Sequence, residues 1–589
     1  MTIRKKQVKS EFLIEYIIFG VIAIICFFSF QQSDILHTGA SSFAYLNGHI
    51  LDFYEYNADL LGGNNYLPSS YILFAIWNIP IRLLNLVTEP TMNVPTSILM
   101  WYKLLPVIFY CFSGFIIYLI AVEMKLKKVN AKLCALMFLM NPIGFFSQFI
   151  FGQYDIFTVF FLLLGIYFYF KDDTKKFILF FGVASTFKYF PLFVFVPLVL
   201  LKEKNIMRII KNGLLVTVPI LFEVIIYIGS TAFRKGVFGF GATSYIFNAK
   251  IDTGFFSISI VVLLWSLVCL GAYLKDVENK QEVIKWSLFF ANLIMFLLFG
   301  LSMWHPQWLL FMVPFMTLGL VINERSDLLL LLDIALMILF CVFTVNNWQN
   351  HVDQQLFSLG VLSRFIKDDI NSGLTIRGLY KFSDMNLIMS LFSSVLLISS
   401  LLKLPKYSVK NLYESDFVKK RKLIIARFLI GIGFFVIPAF LCFFQSALPP
   451  YCIVDMGKQI DNIGPIENGR QVTQVFMAES DSISEINVLV GTYARVNQGE
   501  MFVEIWNENN CLYKTMVKLQ AIKDNEYLRI KLPKVSVKKG ETYEIRFISN
   551  NLGEDFITIY NSDIVTETQY AIVDNLKQPY SLCIKIYGE

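Results

Sequence analysis

The chain carries no Walker loop, no Rossmann glycine fingerprint after a strand and no HExxH, so a soluble nucleotide-binding site is unsupported. Its nine cysteines show no paired spacing, which argues against a zinc site and against a disulfide framework. Six of them (Cys26, Cys111, Cys134, Cys269, Cys341 and Cys442) fall in apolar runs and read as small hydrophobes. Charge is sparse too: 16% charged residues stand against 56% hydrophobic ones, with a mean hydropathy of +0.57. That balance excludes a soluble globular protein. The formal net charge of +6 is no nucleic-acid signal, because the basic residues cluster in short loops between apolar runs.

What is present is a succession of apolar runs long enough to span a bilayer, from Phe12 to about Gln445. Arg4-Lys5-Lys6 precedes the first, which is too long for a signal-peptide core and lacks a small-residue cleavage site. It is expected to be an uncleaved span with a cytoplasmic N-terminus. The basic loops at 125–132, 171–176, 202–211, 275–285 and 405–422 are then inside. Their placement puts Gly152-Gln153-Tyr154-Asp155, residues 230–254, the turn from Met303 to Trp308 and residues 347–384 outside. Residues 177–201 are too long for one helix and too short for two full ones; Lys188-Tyr189-Phe190-Pro191 at their centre predicts two short helices meeting near the outer face. Leu67–Val87 is expected to lie in the outer leaflet without crossing, giving about thirteen spans. A competing map crosses at 67–87, keeps 177–201 as one span and puts Asp155 inside. All four histidines (His37, His49, His305 and His351) fall in outer segments of the preferred map.

Beyond residue 446 the period changes. Segments starting at Ile486, Met501, Tyr527 and Tyr543 alternate apolar with polar residues, between turn signals such as Asn507-Glu508-Asn509-Asn510 and Lys538-Lys539-Gly540. The expected organisation is a polytopic α-helical membrane domain at 1–446 and an extracytoplasmic, jelly-roll-like β-sandwich at 447–589. Cys452, Cys511 and Cys583 there allow at most one disulfide.

Polar residues at a membrane boundary are costly unless they meet a substrate or a water-filled cavity. Asp34 and His37, followed by His49, Asp52 and Glu55, fill the first outer loop, where an acid can deprotonate a hydroxyl lying at the interface. Solvated loop residues are the plain alternative. Asp155 opens a helix beside Gln153, and an N-cap role competes with a functional one. Lys188 breaks an apolar stretch and either snorkels or binds an anion. His305 and Gln307 sit between Trp304 and Trp308, a pattern equally typical of an interfacial aromatic belt. Arg234 and Lys235 are further phosphate candidates.

With Asp34, the Gly48–Tyr54 stretch, Tyr66-Leu67-Pro68, Asn141-Pro142, Gly152–Asp155, Lys188–Pro191 and His305–Trp308 in this order, roughly residues 10–325 resemble the GT-C superfamily of polytopic glycosyltransferases. Two positions depart from it: Ile35 follows Asp34 where many relatives pair a second acid, and Leu67-Pro68 lacks the lysine of some branches. The Phe-, Ile-, Lys- and Asn-rich composition and the outer β-domain suggest a plasma membrane. The resemblance implies an inverting transferase acting on the outer face of the membrane. It implies a polyprenyl-phosphate-linked sugar as donor and a glycan or glycolipid as acceptor, in contact with membrane lipids and with no nucleic acid. Asp34 would be the base, Asp155 and Gln153 would position sugar or acceptor, and Lys188, His305 and Arg234 would face the leaving phosphate. His37, Asp52 and Gln307 complete the candidate substrate-binding set. A requirement for a divalent metal stays open, as do a lipid-linked glycan polymerase or ligase, a flippase or transporter, and a scaffold displaying its β-domain. No convincing internal repeat favours the transporter.

Overall fold

The computed structural model describes residues 12–31, 33–239, 245–347, 384–415, 417–446, 451–456, 459–551 and 555–588. These form two compact units that divide within the last helix, between Ala439 and Phe440. His351 and most of the expected outer loop at 347–384 lie outside the described residues.

The first unit is helical. Its principal helices are α1 (Leu13–Ser29), α2 (Ser33–Ser41), α3 (Phe53–Leu61), α4 (Pro68–Leu83), α5 (Thr96–Glu123), α6 (Lys128–Leu139), α7 (Ile156–Phe170), α8 (Thr174–Phe187) and α9 (Phe190–Lys202). They continue with α10 (Ile206–Tyr227), α11 (Ile260–Leu274), α12 (Lys280–Gly300), α13 (Val313–Val321), α14 (Ser326–Asn347), α15 (Met385–Leu401) and α16 (Arg421–Ser446). Among the described residues, four of these (α5, α10, α12 and α14) are long and apolar enough to cross a membrane. The number rises to six if two bent pairs each count as one span: α1 with the helix after it, bent by 76°, and α6 with residues Pro142–Ile150, bent by 50°. Several expected crossings are instead apolar helices of 10–17 residues, among them α7, α9, α11 and α15. A run of apolar letters does not reveal where a helix within it ends. Helix α10 exposes Leu214, Phe222 and Ile225, an apolar surface compatible with a membrane-facing position. In contrast, α12 is buried nearly throughout.

Two ion pairs bracket the α7–α9 segment. Asp155, just before α7, meets Lys188, which sits between α8 and α9 (Oδ1 to Nζ, 2.7 Å). Asp172, just after α7, meets Lys202 at the end of α9 (2.6 Å). The chain therefore runs away from Asp155 along α7, returns along α8 to Lys188 and leaves again along α9. Residues 177–201 are two helices broken at Lys188, whose backbone is extended (φ −153°, ψ 145°). Pro191 follows in the first turn of α9, where its missing N–H costs nothing.

The Asp172 end gathers the basic loops. Lys280 pairs with Glu123 at 2.6 Å, Lys285 donates to the Lys410 carbonyl at 3.1 Å, and Lys204 donates to that of Lys275 at 3.1 Å. Deeper in the unit, Arg427 of α16 and Asp333 of α14 form a buried pair at 2.7 Å, and the guanidinium also donates to the Met137 carbonyl.

Beyond the end of α16, the second unit is built of β-strands. One sheet of six strands follows the order β13 (Leu576–Lys577), β12 (Tyr570–Val573), β5 (Gln471–Met477), β10 (Thr542–Asn551), β7 (Gly499–Asn507) and β8 (Asn510–Lys518). A seven-stranded sheet runs β14 (Ser581–Leu582), β11 (Thr558–Ser562), β6 (Ser482–Gly491), β15 (Ile584–Gly588) and β3 (Tyr451–Asp455). Strand β4 (Gln459–Asn462) joins it through β11, and β9 (Glu526–Ser536) through β6. A short separate hairpin, β1 (Lys250–Asp252) with β2 (Ser257–Ser259), belongs to the helical unit. The alternation legible in the sequence is the buried pattern: Tyr543, Ile545 and Phe547 of β10 are buried between less buried Glu544 and Arg546. They join Val488, Val503 and Ile586 in a single core to which both sheets contribute. Glu508, at φ 47°, makes the tight turn between β7 and β8.

Candidate functional site

The site lies at the Asp155 end of the helical unit, where three chain breaks meet. Asp34 stands in the first turn of α2, half-buried, and Thr38 follows one turn on. Facing them is the segment after α6. Asn141 caps a short helix by accepting from the N–H groups of Ile143 and Gly144, and a π-helical turn spans Phe146–Ile150. Gly152 then turns the chain at φ +75°, a conformation that only glycine adopts without strain. Gln153 Nε2 donates to Asp34 Oδ2 at 3.3 Å, and Thr38 Oγ1 donates to the Tyr154 hydroxyl at 2.8 Å. The broken helices α1–α2 and α6–α7 are thus stitched together by the side chains of Gln153 and Tyr154.

Asp155 makes no cap bond to α7, so the N-cap alternative is replaced by the pair with Lys188. The hydrogen bond runs to Oδ2 at 2.9 Å, with Oδ1 in closer ionic contact, and the two side chains are 1% and 11% exposed. Such a pair survives burial only with tight geometry. Two aromatic faces add to it: the ammonium lies 5.4 Å from the Tyr66 ring centre and 5.2 Å from that of Trp308. The Tyr66 ring in turn meets that of Tyr154, and Trp308 meets His305 at 4.8 Å. A cavity of about 330 Å³ opens beside Lys188, lined by Tyr66 and Trp308 and by apolar Phe187, Phe190, Ile220 and Phe238.

The sequence candidates divide here. Asp34 with Gln153, and Asp155 with Lys188, Trp308 and His305, are brought together; His37 lies one turn from Asp34 on α2. Gln307 is buried in the turn that carries Trp308, and its Oε1 has no hydrogen-bond partner among the described residues. Asp52 is elsewhere: it is exposed and paired with His49 Nδ1 at 2.8 Å, which holds its carboxyl below the usual range. Arg234 is exposed as well, and its guanidinium donates to the carbonyls of Ile228 and Gly229 at the end of α10.

Sequence reasoning passed over three contributors. Thr38 and Tyr154 carry no signal of their own, since a threonine and a tyrosine at a membrane boundary are ordinary. Lys103 had a usable one, a lone lysine entering a long apolar run. Among the described residues no group of three or more His, Cys, Asp and Glu side chains is placed to hold a metal. No family model matches the chain, and comparison with characterised proteins finds no match either.

Proposed function

We propose that the protein is a multi-pass membrane glycosyltransferase of GT-C type. It moves a sugar from a polyprenyl-phosphate carrier to a cell-surface glycan or glycolipid acceptor on the outer face of the plasma membrane. The observation that carries this reading is the pairing of two acids with different partners, one of which, Lys188, lines a largely apolar cavity. Asp34 is half-buried with an amide as neighbour, whereas Asp155 is buried against an ammonium. Two carboxyls in unlike surroundings suit unlike roles.

In this reading Asp34 takes the proton of the acceptor hydroxyl as its oxygen bonds to the anomeric carbon. The bond from that carbon to the phosphate oxygen breaks, its electron pair leaves with the polyprenyl phosphate, and the configuration inverts. An ammonium has three donors, and the Asp155 carboxylate engages at most two of those on Lys188. The remaining donor is available to a phosphate oxygen, with His305 beyond Trp308 as a second contact. Stabilising charge as it develops at such a position contributes several kcal/mol. Arg234, exposed and bonded to the end of α10, is assigned no part in that step. The apolar cavity walls suit the carrier's first isoprene units.

The topology belongs to the same proposal. About thirteen crossings, with the short helices counted as spans or half-spans, put the basic loops inside and the Asp34–Lys188 end outside. The two β-sheets then form a jelly-roll-like sandwich on the outer surface. The opposed ion pairs of α7–α9 support this over the map with a single span at 177–201, because they require the chain to reverse at Lys188.

The test compares surface-glycan composition in a deletion strain, a wild-type rescue and an Asp34→Asn rescue at matched membrane levels. One sugar is expected to be missing in the deletion and the Asp34→Asn strain and restored by wild type. Full restoration by Asp34→Asn would remove Asp34 as the base, and unchanged glycans in the deletion would remove the transferase reading.

A further inference from the structure

Lys103 lies in α5, fully buried and with no carboxylate beside it in any ion pair among the described residues. Its ammonium donates to three backbone carbonyls: Phe27 at 3.0 Å, Phe30 at 2.5 Å and Phe149 at 2.8 Å. All three donors of the ammonium are therefore used. The Phe27 and Phe30 carbonyls belong to the end of α1, where helix carbonyls lack intrahelical partners and a cation is favoured. Phe149 belongs to the π-helical turn that precedes Gln153. One side chain thus holds the two segments that carry Asp34 and Gln153, four residues beyond Phe30 in one case and four beyond Phe149 in the other.

Gly152 completes the arrangement. A Cβ built there would fall 3.1 Å from Lys103 Cγ and 3.3 Å from its Cδ, on a backbone at φ +75°. The glycine lets the chain close over the lysine stem before it turns to present Gln153. A buried ammonium saturated by carbonyls is costly to desolvate, and simple packing at this position would be served better by methionine or leucine.

We infer that Lys103 is a positioning residue: its ammonium clamps the end of α1 to the turn before Gln153 and so sets the Asp34–Gln153 geometry. The clamp as a structural device stands on the contacts alone; its catalytic consequence rests on the transferase reading above.

The experiment is hydrogen–deuterium exchange on the full-length protein in lipid nanodiscs, comparing wild type, Lys103→Met, Lys103→Arg and Gly152→Ala. Losing a charge-assisted anchor is expected to speed exchange about 10- to 100-fold in residues 31–42 and 146–156 together in Lys103→Met, with α12 unchanged. Lys103→Arg keeps donors and charge and is expected to recover part of the protection. Should Lys103→Met fail to reach the membrane, Gly152→Ala carries the test, because it crowds the lysine stem and should loosen the same two segments. No change in either segment, or an equal rise in α12, would overturn the clamp. The glycan assay separates the two readings. Lys103→Met should lack the same sugar as Asp34→Asn, and Lys103→Arg should partly restore it. Coupled exchange with unchanged glycans in the deletion strain would leave the clamp standing and remove the enzymatic reading. Lost glycans in Asp34→Asn without coupled exchange would do the reverse.

Discussion

Asp155 and Lys188 show how one residue's meaning depends on a partner far along the chain. An aspartate just before a helix reads as a cap, and a lysine near a helix end reads as a snorkelling side chain. Each reading is local, and the structure replaces both with a contact across 33 residues. Removing one member leaves the other buried without its counter-charge, a loss of about 3–5 kcal/mol, whereas a neutral pair of similar volume recovers much of it. Asp155→Asn and Lys188→Met should therefore each lower the unfolding midpoint in detergent strongly, and the double variant should lie well above their summed loss. Strict additivity would contradict the pairing. For Lys103 the lone charge in an apolar run was visible in the sequence, but its role was not, since its carbonyl partners stand 46 to 76 residues away and are backbone groups that any residue could supply.

At the scale of elements, breaks were easier to anticipate than lengths. The polar insertions Gly152–Asp155 and Lys188–Pro191 mark real ends of α7, α8 and α9, where Gly152 takes a positive φ, Lys188 is extended and the buried Asp155 and Lys188 pair across the break. Proline alone is a weaker sign, since Pro80, Pro106, Pro197 and Pro219 lie inside continuous helices. Hydropathy is blind to where a helix yields inside an apolar run, and so Pro142–Ile150 appears as a short helix and a π-helical turn rather than the end of a long span. Asn141, part of the family-like pattern, acts as the cap of that short helix. The β-strands were legible from alternation, yet β15 carries a polar exception. Its Lys585 is 7% exposed, 3.7 Å from Asp455, and burial pushes its ammonium down to about 8 from the ordinary 10.5. Between those two values the unfolded state binds more protons than the folded one, so stability rises with pH. Urea midpoints of a fragment carrying residues 447–589 should climb from pH 8 to 10.5 relative to a Lys585→Met fragment. A difference that stays flat, or falls, would contradict the burial of a charged lysine there.

At the scale of the whole helical unit, the useful property is polarity along the helices. The basic loops bond to one another at one end, while Asp34, Gln153, Asp155, Lys188 and Trp308 converge at the other. Sequence charge patterning anticipated this division because it counts residues in loops and needs no knowledge of packing. It could not anticipate that Asp52 and Arg234 would turn away from the site, since both lie in loops on the expected side and only their local partners, His49 and the end of α10, draw them off. The central claim is that Asp34 abstracts the acceptor proton during sugar transfer. It is tested most directly by incubating purified protein in nanodiscs with a panel of radiolabelled polyprenyl-phosphate hexoses and surface-glycan acceptor, comparing wild type with Asp34→Asn. Wild type should transfer label from one donor, and Asp34→Asn should lose about 10²- to 10⁴-fold in rate at unchanged donor binding. Equal rates in the two proteins, or no transfer from any donor by wild type, would contradict it.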